Sequence, residues 1–315
     1  MNTDEHSLCS SVFICGFSSI DMHGTQFGIG LPIVQQVPGQ AQAWEAGGGA
    51  AELLEVARAA DRLGFAWIAC SDHVAIPASY ASSMGAIWYE PATTLAFLAA
   101  ATARVRLLSH VLVLPYRHPL LAAKMLATLD ALSGGRAIIG TGSGHLKPEF
   151  RSLGLDHQAR AAISDEYLRG LAAALEQEVS SFAGDVVRWR DMLVAPRPAQ
   201  RPRPPIWVGG NTDAVARRAG RHGDGWIPWQ ITPTDFAARA GIARAAYEKS
   251  GRAGPFALVA PLHAGRVGDS DAVRGEIADW RGRGATAFHV GFTHRSAADL
   301  VALLERFSSE VIGAT

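Results

Sequence analysis

From residue 26 onward, short and almost wholly apolar runs recur eight times, and a segment of helical character follows each. The runs are QFGIGL (26–31), AWIAC (66–70), VRLLSHVLV (105–113), AIIGTG (137–142), IWVGG (206–210), GWIPW (225–229), FALVAPL (256–262) and AFHVG (287–291). A strand with one wet face alternates apolar and polar residues, whereas a strand covered on both faces does not. Between the runs, Leu53, Val56, Ala57, Ala60 and Leu63 fall at helical spacing before Gly64. Pro91 sits in the first turn of the next helical stretch, and LLAAKMLATLDALSGG (120–135) closes on two glycines. Further helices are expected over about 164–178, 213–222, 234–250, 270–283 and 296–311.

Eight such βα units in one unbroken series predict an α/β fold, a single (β/α)8 TIM barrel over residues 26–315. FAGDVVRWRDMLV (182–194) alternates like a hairpin and APRPAQRPRPP (195–205) reads as a loop, so an insertion is expected around 180–200. A doubly wound, two-domain chain would need a linker. The 195–205 loop is the one candidate, and another strand resumes at once after it. The stretch RAIIGTGSGHLKPEF (136–150) imitates a dinucleotide fingerprint, but His145 occupies the place of the third glycine. Pro148 also falls where the following helix should already be running. The fourth strand is therefore expected to end in flexible backbone with His145 at its tip.

The chain has 315 residues, 48% of them hydrophobic, enough for a large core. Lys+Arg 29 balances Asp+Glu 29, so no net field calls for nucleic acid or an anionic membrane. No apolar run approaches the roughly 20 residues of a membrane span. Cys9, Cys15 and Cys70 lack metal-ligand spacing and cannot all pair, which points to a reducing cytoplasm. The opening MNTDEHSLCSSVFICGF has no basic region before its short apolar patch and makes a poor signal peptide. Residues 1–25 are read as an extension outside the fold, with Met22 as an alternative start to Met1.

In a barrel, chemistry gathers where strands end and βα loops begin. The second strand ends in Ser71-Asp72-His73, where a histidine beside an aspartate could hold a proton near neutral pH; alternatively, Asp72 caps the next segment and His73 is a loop residue. The third strand carries Ser109 and His110 inside an apolar run, and alone His110 reads as a core histidine. The fourth ends in Gly142-Ser143-Gly144-His145. Gly209-Gly210-Asn211-Thr212 opens a helix, as suits either an anion-binding helix N-terminus or an ordinary capped turn. Arg217 and Arg218, on the body of that helix, read as surface charge, and His118 in YRHP as a turn residue. Trp226 and Trp229 follow near the next tip, and the last strand carries His289. Barrel hydrolases bring together several histidines and a carboxylate, often as His-x-His; the chain has no such pair, so no metal is expected. Its three lysines lie on helices (Lys124, Lys249) or beyond a strand tip (Lys147), which disfavours Schiff-base chemistry.

The stretches RLGFAWIACSDHV, RVRLLSHVLVLPYRHPLLAAKMLATLDALSGGRAIIGTGSGHLKPEF and PPIWVGGNTDAVARRAGRHGDGW resemble the bacterial luciferase-like flavin and deazaflavin oxidoreductases. The resemblance runs over nearly the whole chain from residue 26. YRHP, LDALSGGR and GDGW in this order make it specific, and the subgroup most resembled uses coenzyme F420, with Asp72-His73 at the second tip. The resemblance implies that His73 and His145 are catalytic, with His73 beside the reactive ring. Asp72, His110, Val111, Gly142, Ser143 and Gly144 would contact the cofactor, and Gly209, Gly210, Asn211 and Thr212 would hold its phosphate. It also implies a bulge at Ser109-His110-Val111 with a non-prolyl cis peptide, at His110–Val111 or, one residue earlier, at Ser109–His110. His145 stands where sugar-phosphate dehydrogenases of the group have a glutamate, which argues against a sugar-phosphate substrate. Trp88, Tyr89 and Trp226 are expected to wall the substrate. The reaction implied is hydride transfer between F420 and a small organic substrate. The alternatives are an FMN-dependent monooxygenase and a non-catalytic flavin-binding protein of the same fold. Expected partners are a small-molecule substrate and a second copy of the chain, as a homodimer, with neither nucleic acid nor membrane.

Overall fold

A computed structural model describes residues 24–314. The expectations about an extension over residues 1–25, and about Met22 as a start, fall almost wholly outside these residues.

The strands are β1 (Gln26–Gly30), β2 (Trp67–Cys70), β3 (Arg106–Ser109), β4 (Leu112–Val113), β5 (Ala137–Gly142), β6 (Ser180–Ala183), β7 (Arg188–Met192), β8 (Ile206–Gly209), β9 (Gly225–Ile227), β10 (Ala257–Gly265) and β11 (Ala287–Phe292). Apart from β6 and β7, all pair in parallel in the order β3-β2-β1-β11-β10-β9-β8-β5-β4, and a further β3–β5 pairing closes the circle. Because β3 and β4 are two halves of one interrupted strand, the result is a closed eight-stranded parallel barrel, as the sequence predicts. The hairpin β6–β7 is antiparallel and lies in the expected insertion.

The helices are α1 (Ala50–Arg62), α2 (Ala81–Met84), α3 (Pro91–Ala99), α4 (Pro119–Leu132), α5 (Lys147–Ser152), α6 (Arg160–Glu176), α7 (Asp213–His222), α8 (Pro233–Lys249), α9 (Ser270–Gly282) and α10 (Ala297–Glu310). Their starts follow from local chemistry. Glu90, Thr212, Thr232, Asp269 and Ser296 accept N–H bonds in the first turns of α3, α7, α8, α9 and α10. His118 caps α4 ahead of Pro119, the turn role its sequence context suggests. The sequence predicts flexible backbone where α5 lies, with Pro148 as the break. Proline is tolerated in a first turn, and the helix starts at Lys147. Among the described residues, no helix is long and apolar enough to cross a membrane.

Two apolar cores result. One lies between strands and helices. The other fills the barrel with Trp67, Ala69, Leu108, Ile138, Trp207, Ile227, Val259 and Ala287. Its bulk comes from Trp67 and Trp207, packed edge to face with centroids 5.2 Å apart. Each indole lies over the glycine paired with it on the next strand, Trp67 over Gly28 and Trp207 over Gly225. The indoles plug the barrel, so a ligand can enter only at the mouth above them.

Candidate active site

The third strand breaks at the mouth. A cis peptide joins His110 to Val111, the first of the two positions expected, and β3 resumes as β4 only at Leu112. The break is accommodated by what its neighbours lack. A Cβ on Gly140 would lie 2.0 Å from the Ser109 carbonyl oxygen, and one on Gly142 or Gly209 would lie 2.5 or 2.6 Å from a methyl of Val111. The glycines that imitate a nucleotide fingerprint thus leave room for the displaced backbone. Ser109 repairs the interrupted ladder: its hydroxyl donates to the Gly140 carbonyl at 2.9 Å and accepts from the Gly140 N–H at 3.1 Å.

The displaced segment turns the His110 ring toward the barrel axis, where it meets His289 of β11 with centroids 4.5 Å apart. Trp67 donates its indole N–H to Nδ1 of His289 at 3.3 Å, so His289 carries its own proton on Nε2. Part of each ring is reachable from the mouth, yet protein surrounds both. Poor hydration of the charged form pushes His110 down to about 4 and His289 well below its ordinary value. The floor of the mouth is therefore lined by neutral imidazoles. Trp229 stands over it, 6.0 Å from His110 between centroids and 45% exposed.

At one side, His73 follows β2. Its Nδ1 lies 2.8 Å from Oε2 of Glu149, brought in by α5. A carboxylate accepts only, so Nδ1 carries the proton and Nε2 is left to exchange one. Glu149 is itself held firmly. Its Oε1 accepts the N–H groups of Val74 at 2.6 Å and Ala75 at 3.1 Å, and its Oε2 accepts the Tyr116 hydroxyl at 2.7 Å. Burial alone would raise this carboxyl, but the hydrogen bonds outweigh it and hold the group below its ordinary value. Burial and the bond to Glu149 together push the Tyr116 phenol up. Trp88 packs edge-on against His73 at 4.4 Å, and His145 stands perpendicular to it at 5.6 Å.

The structure therefore brings His73, His145 and Trp88 together after β2, and sets His110 against His289 and Trp229 at the interrupted third strand. Several other expected site residues have different work. Asp72 is turned away and buried, paired to Arg117 through two bonds of 2.6 and 2.9 Å, and it also accepts the Val113 N–H. It fastens the start of the loop carrying His73 to the segment after the third strand. Trp226 is a correction: it is fully buried, stacks on Phe236 and donates to the Gly210 carbonyl at 2.8 Å, so it lies in the outer core instead of against a substrate. Tyr89 packs on that same core. Arg218 is also corrected, being 7% exposed, bound to Asp165 at 2.5 Å and reaching the Ser143 hydroxyl at 3.3 Å. Asn211 commits both ends of its amide to the backbone of Trp229. The Thr212 hydroxyl caps Val215 at 3.3 Å, which leaves the earlier N–H groups of α7 uncapped by it. Glu149, Tyr116, Arg117 and Trp229 were not singled out in the sequence as site residues. Glu149 does stand in the stretch that imitates a fingerprint, and a carboxylate within four residues of a strand-tip histidine is the signal that could have marked it.

The architecture is thus a (β/α)8 barrel with a carboxylate-held histidine after its second strand and an interrupted third strand. The luciferase-like monooxygenase family model matches residues 25–307, and the chain belongs to that family. Over 147 residues it is 38% identical to the FMNH2-dependent dimethylsulfone monooxygenase of Pseudomonas putida, a match covering 46% of this chain and 39% of that enzyme. The chain therefore spans well under two thirds of that relative. Monooxygenase RslO1 from Streptomyces bottropensis superposes with a TM-score of 0.77 at 24% identity, over 92% of this chain and 99% of that one. An F420-dependent secondary alcohol dehydrogenase, in complex with an F420-acetone adduct, superposes with a TM-score of 0.75 at 15% identity, over 93% and 99%. Relatives and structural neighbours thus include both FMNH2-dependent and F420-dependent proteins.

Proposed function

We propose that the protein is an oxidoreductase that moves a hydride between coenzyme F420 and a small organic substrate, with His73 as its proton-handling residue. The observation that carries this reading is the His73–Glu149 pair. Glu149 fixes which imidazole nitrogen is protonated and leaves Nε2 without a proton.

The residues fit a phosphate-bearing cofactor with a flat ring. Ser143, with Arg218 behind it, and the uncapped N–H groups at the start of α7 supply donors for a phosphate at neighbouring strand tips. The imidazoles and Trp229 make a floor of low polarity for a ring. When bound, such a cofactor supplies the two-electron chemistry. His73 gives or takes the accompanying proton at Nε2, and Glu149 stabilises the imidazolium and keeps its orientation. His110 and His289, kept neutral, place no positive charge beneath the ring. Trp88 shields His73 from water on one face.

A second reading, a monooxygenase using reduced FMN, is supported by the identity to the Pseudomonas enzyme. Fluorescence titration of the purified protein with F420 and with FMN, followed by turnover assays with reduced cofactor, tests both. Tighter binding of F420 supports the first reading. Micromolar FMN binding without F420 binding overturns it in favour of the second, and binding without turnover under any reductant would leave a non-catalytic binding protein.

A further inference from the structure

Tyr116 and Arg117 are consecutive residues shortly after the interrupted strand resumes, and each holds one member of the Asp72-His73 pair that follows β2. Arg117 binds the Asp72 carboxylate directly, at 2.6 and 2.9 Å. Tyr116 reaches His73 through Glu149. Its hydroxyl donates to Oε2 at 2.7 Å, and Nδ1 of His73 donates to that same oxygen at 2.8 Å. The backbone of Val74 and Ala75 uses the other oxygen, Oε1. Negative charge is in surplus here: Asp72, Glu90 and Glu149 all act on Arg117, the guanidinium set among them. Lys147 and Arg151 of α5 are exposed and line a cavity together with Asp156 and His157. His145 stands perpendicular to His73, and its carbonyl oxygen lies 3.1 Å from Nε2 of His157. Tyr116 adds no charge to this group. Burial pushes its phenol up, so the hydroxyl keeps its hydrogen and remains a donor.

We propose that Tyr116 is a positioning residue that sets how readily His73 gives up a proton, by competing for the one carboxylate oxygen that both residues use. This rests on the proposed role of His73 and adds the control of its proton. The proton concerned is the one exchanged at Nε2; Nδ1 keeps its own throughout, and Glu149 stays ionised. Two donors on Oε2 divide its charge between them. An unshared Oε2 would give more of that charge to His73, favour the imidazolium and hold the Nε2 proton longer. Asp72 and Glu90 add to the same negative field, so the tendency to hold the proton is already strong. A cationic donor in the place of Tyr116 would repel the imidazolium outright, whereas a phenol tempers the oxygen and adds no charge. The ring of Tyr116 packs on Phe150 with centroids 4.9 Å apart, so the hydroxyl can be removed with the packing left in place.

The test follows the His73 ring against pH by proton–nitrogen NMR of the full chain labelled at histidine, with His73→Ala to assign the signals. In Tyr116→Phe the midpoint of the Nε2 titration is expected to move up by about 0.5–1 pH unit, part of what a hydrogen bond to a charged group contributes. In the Glu149→Gln background the same deletion should leave the midpoint nearly still, because the oxygen it acts through no longer carries charge. An unchanged or lower midpoint in Tyr116→Phe overturns the proposal. An equal shift in the Glu149→Gln background overturns it too, since the hydroxyl would then act by another route. Where turnover is measured, the limb of the log kcat profile set by His73 should move with the midpoint; a lower kcat at every pH with that limb unmoved would show a merely structural role. The two readings fail separately. A shifted midpoint without turnover under any cofactor refutes the oxidoreductase reading alone, and turnover with an unmoved midpoint refutes the role of Tyr116 alone.

Discussion

His73 and Glu149 lie 76 residues apart in the chain and 2.8 Å apart at the barrel mouth, with Nδ1 of the imidazole donating to Oε2 of the carboxylate. Glu149 thereby fixes the tautomer and the orientation of a strand-tip histidine. Replacing it by glutamine keeps the shape and removes the charge. Glu149→Gln is expected to lower turnover by about 10²-fold, within the usual span for general acid–base catalysis, while cofactor affinity changes little. His73→Ala should cost roughly 10²–10⁴-fold. Steady-state kinetics with any accepted substrate checks both, and turnover within about threefold of the parent would remove the pair from the mechanism.

Asp72 is expected to matter for stability more than for chemistry. Its carboxylate is 1% exposed and its partner Arg117 10%, so Asp72→Asn breaks a buried ion pair and leaves a buried guanidinium short of its counter-ion. A loss of about 3–5 kcal/mol is expected. Guanidinium chloride unfolding measures it, and a loss below about 1 kcal/mol, the range of an exposed pair, would refute the buried-pair account.

Val111 and the glycines beside it should be coupled. Gly142→Ala and Gly209→Ala each drive a methyl against the Val111 side chain, at an expected cost of about 1–3 kcal/mol. In the background of Val111→Ala most of that added cost should vanish, because the obstructing methyls are gone. A double-mutant cycle by chemical unfolding reads the coupling, and strictly additive losses would show that the glycines serve some other purpose.

The neutral floor makes stability depend on pH. His110 titrates at about 4 in the folded protein against 6.5 when exposed, so the unfolded chain binds the extra proton first as pH falls. The stabilisation is complete above pH 6.5 and is lost progressively down to pH 4. The loss from this residue is at most about 3 kcal/mol. Melting temperatures across that window should fall more steeply in the parent than in His110→Gln, and parallel curves for the two proteins would contradict the assignment.

How much of this was legible beforehand differs from residue to residue. Strands buried on both faces lose all polar alternation, which is a local property, so eight apolar runs between helical segments were enough to identify the barrel. The interruption at Ser109-His110 was legible for the same reason, since two polar residues stand out in an apolar strand. Trp226, and not Trp229, is expected from the sequence to wall the substrate, yet Trp226 is buried and Trp229 is 45% exposed. Both belong to one apolar run, and without a wet face nothing local marks which indole meets the outer core and which meets the mouth. Arg218 looked like helix-surface charge because its partner Asp165 is 53 residues away. Glu149 was passed over because α5 is six residues long and opens with a proline, too short for periodicity to register.

Local pattern thus reaches as far as the elements and the strand tips, because burial and backbone chemistry act on neighbouring residues. The pairing of Asp72 with Arg117, of His73 with Glu149 and of His110 with His289 joins side chains from different βα units. Those pairs come into being only when the barrel closes, and the closure determines which tip residues face the mouth and which support it from behind.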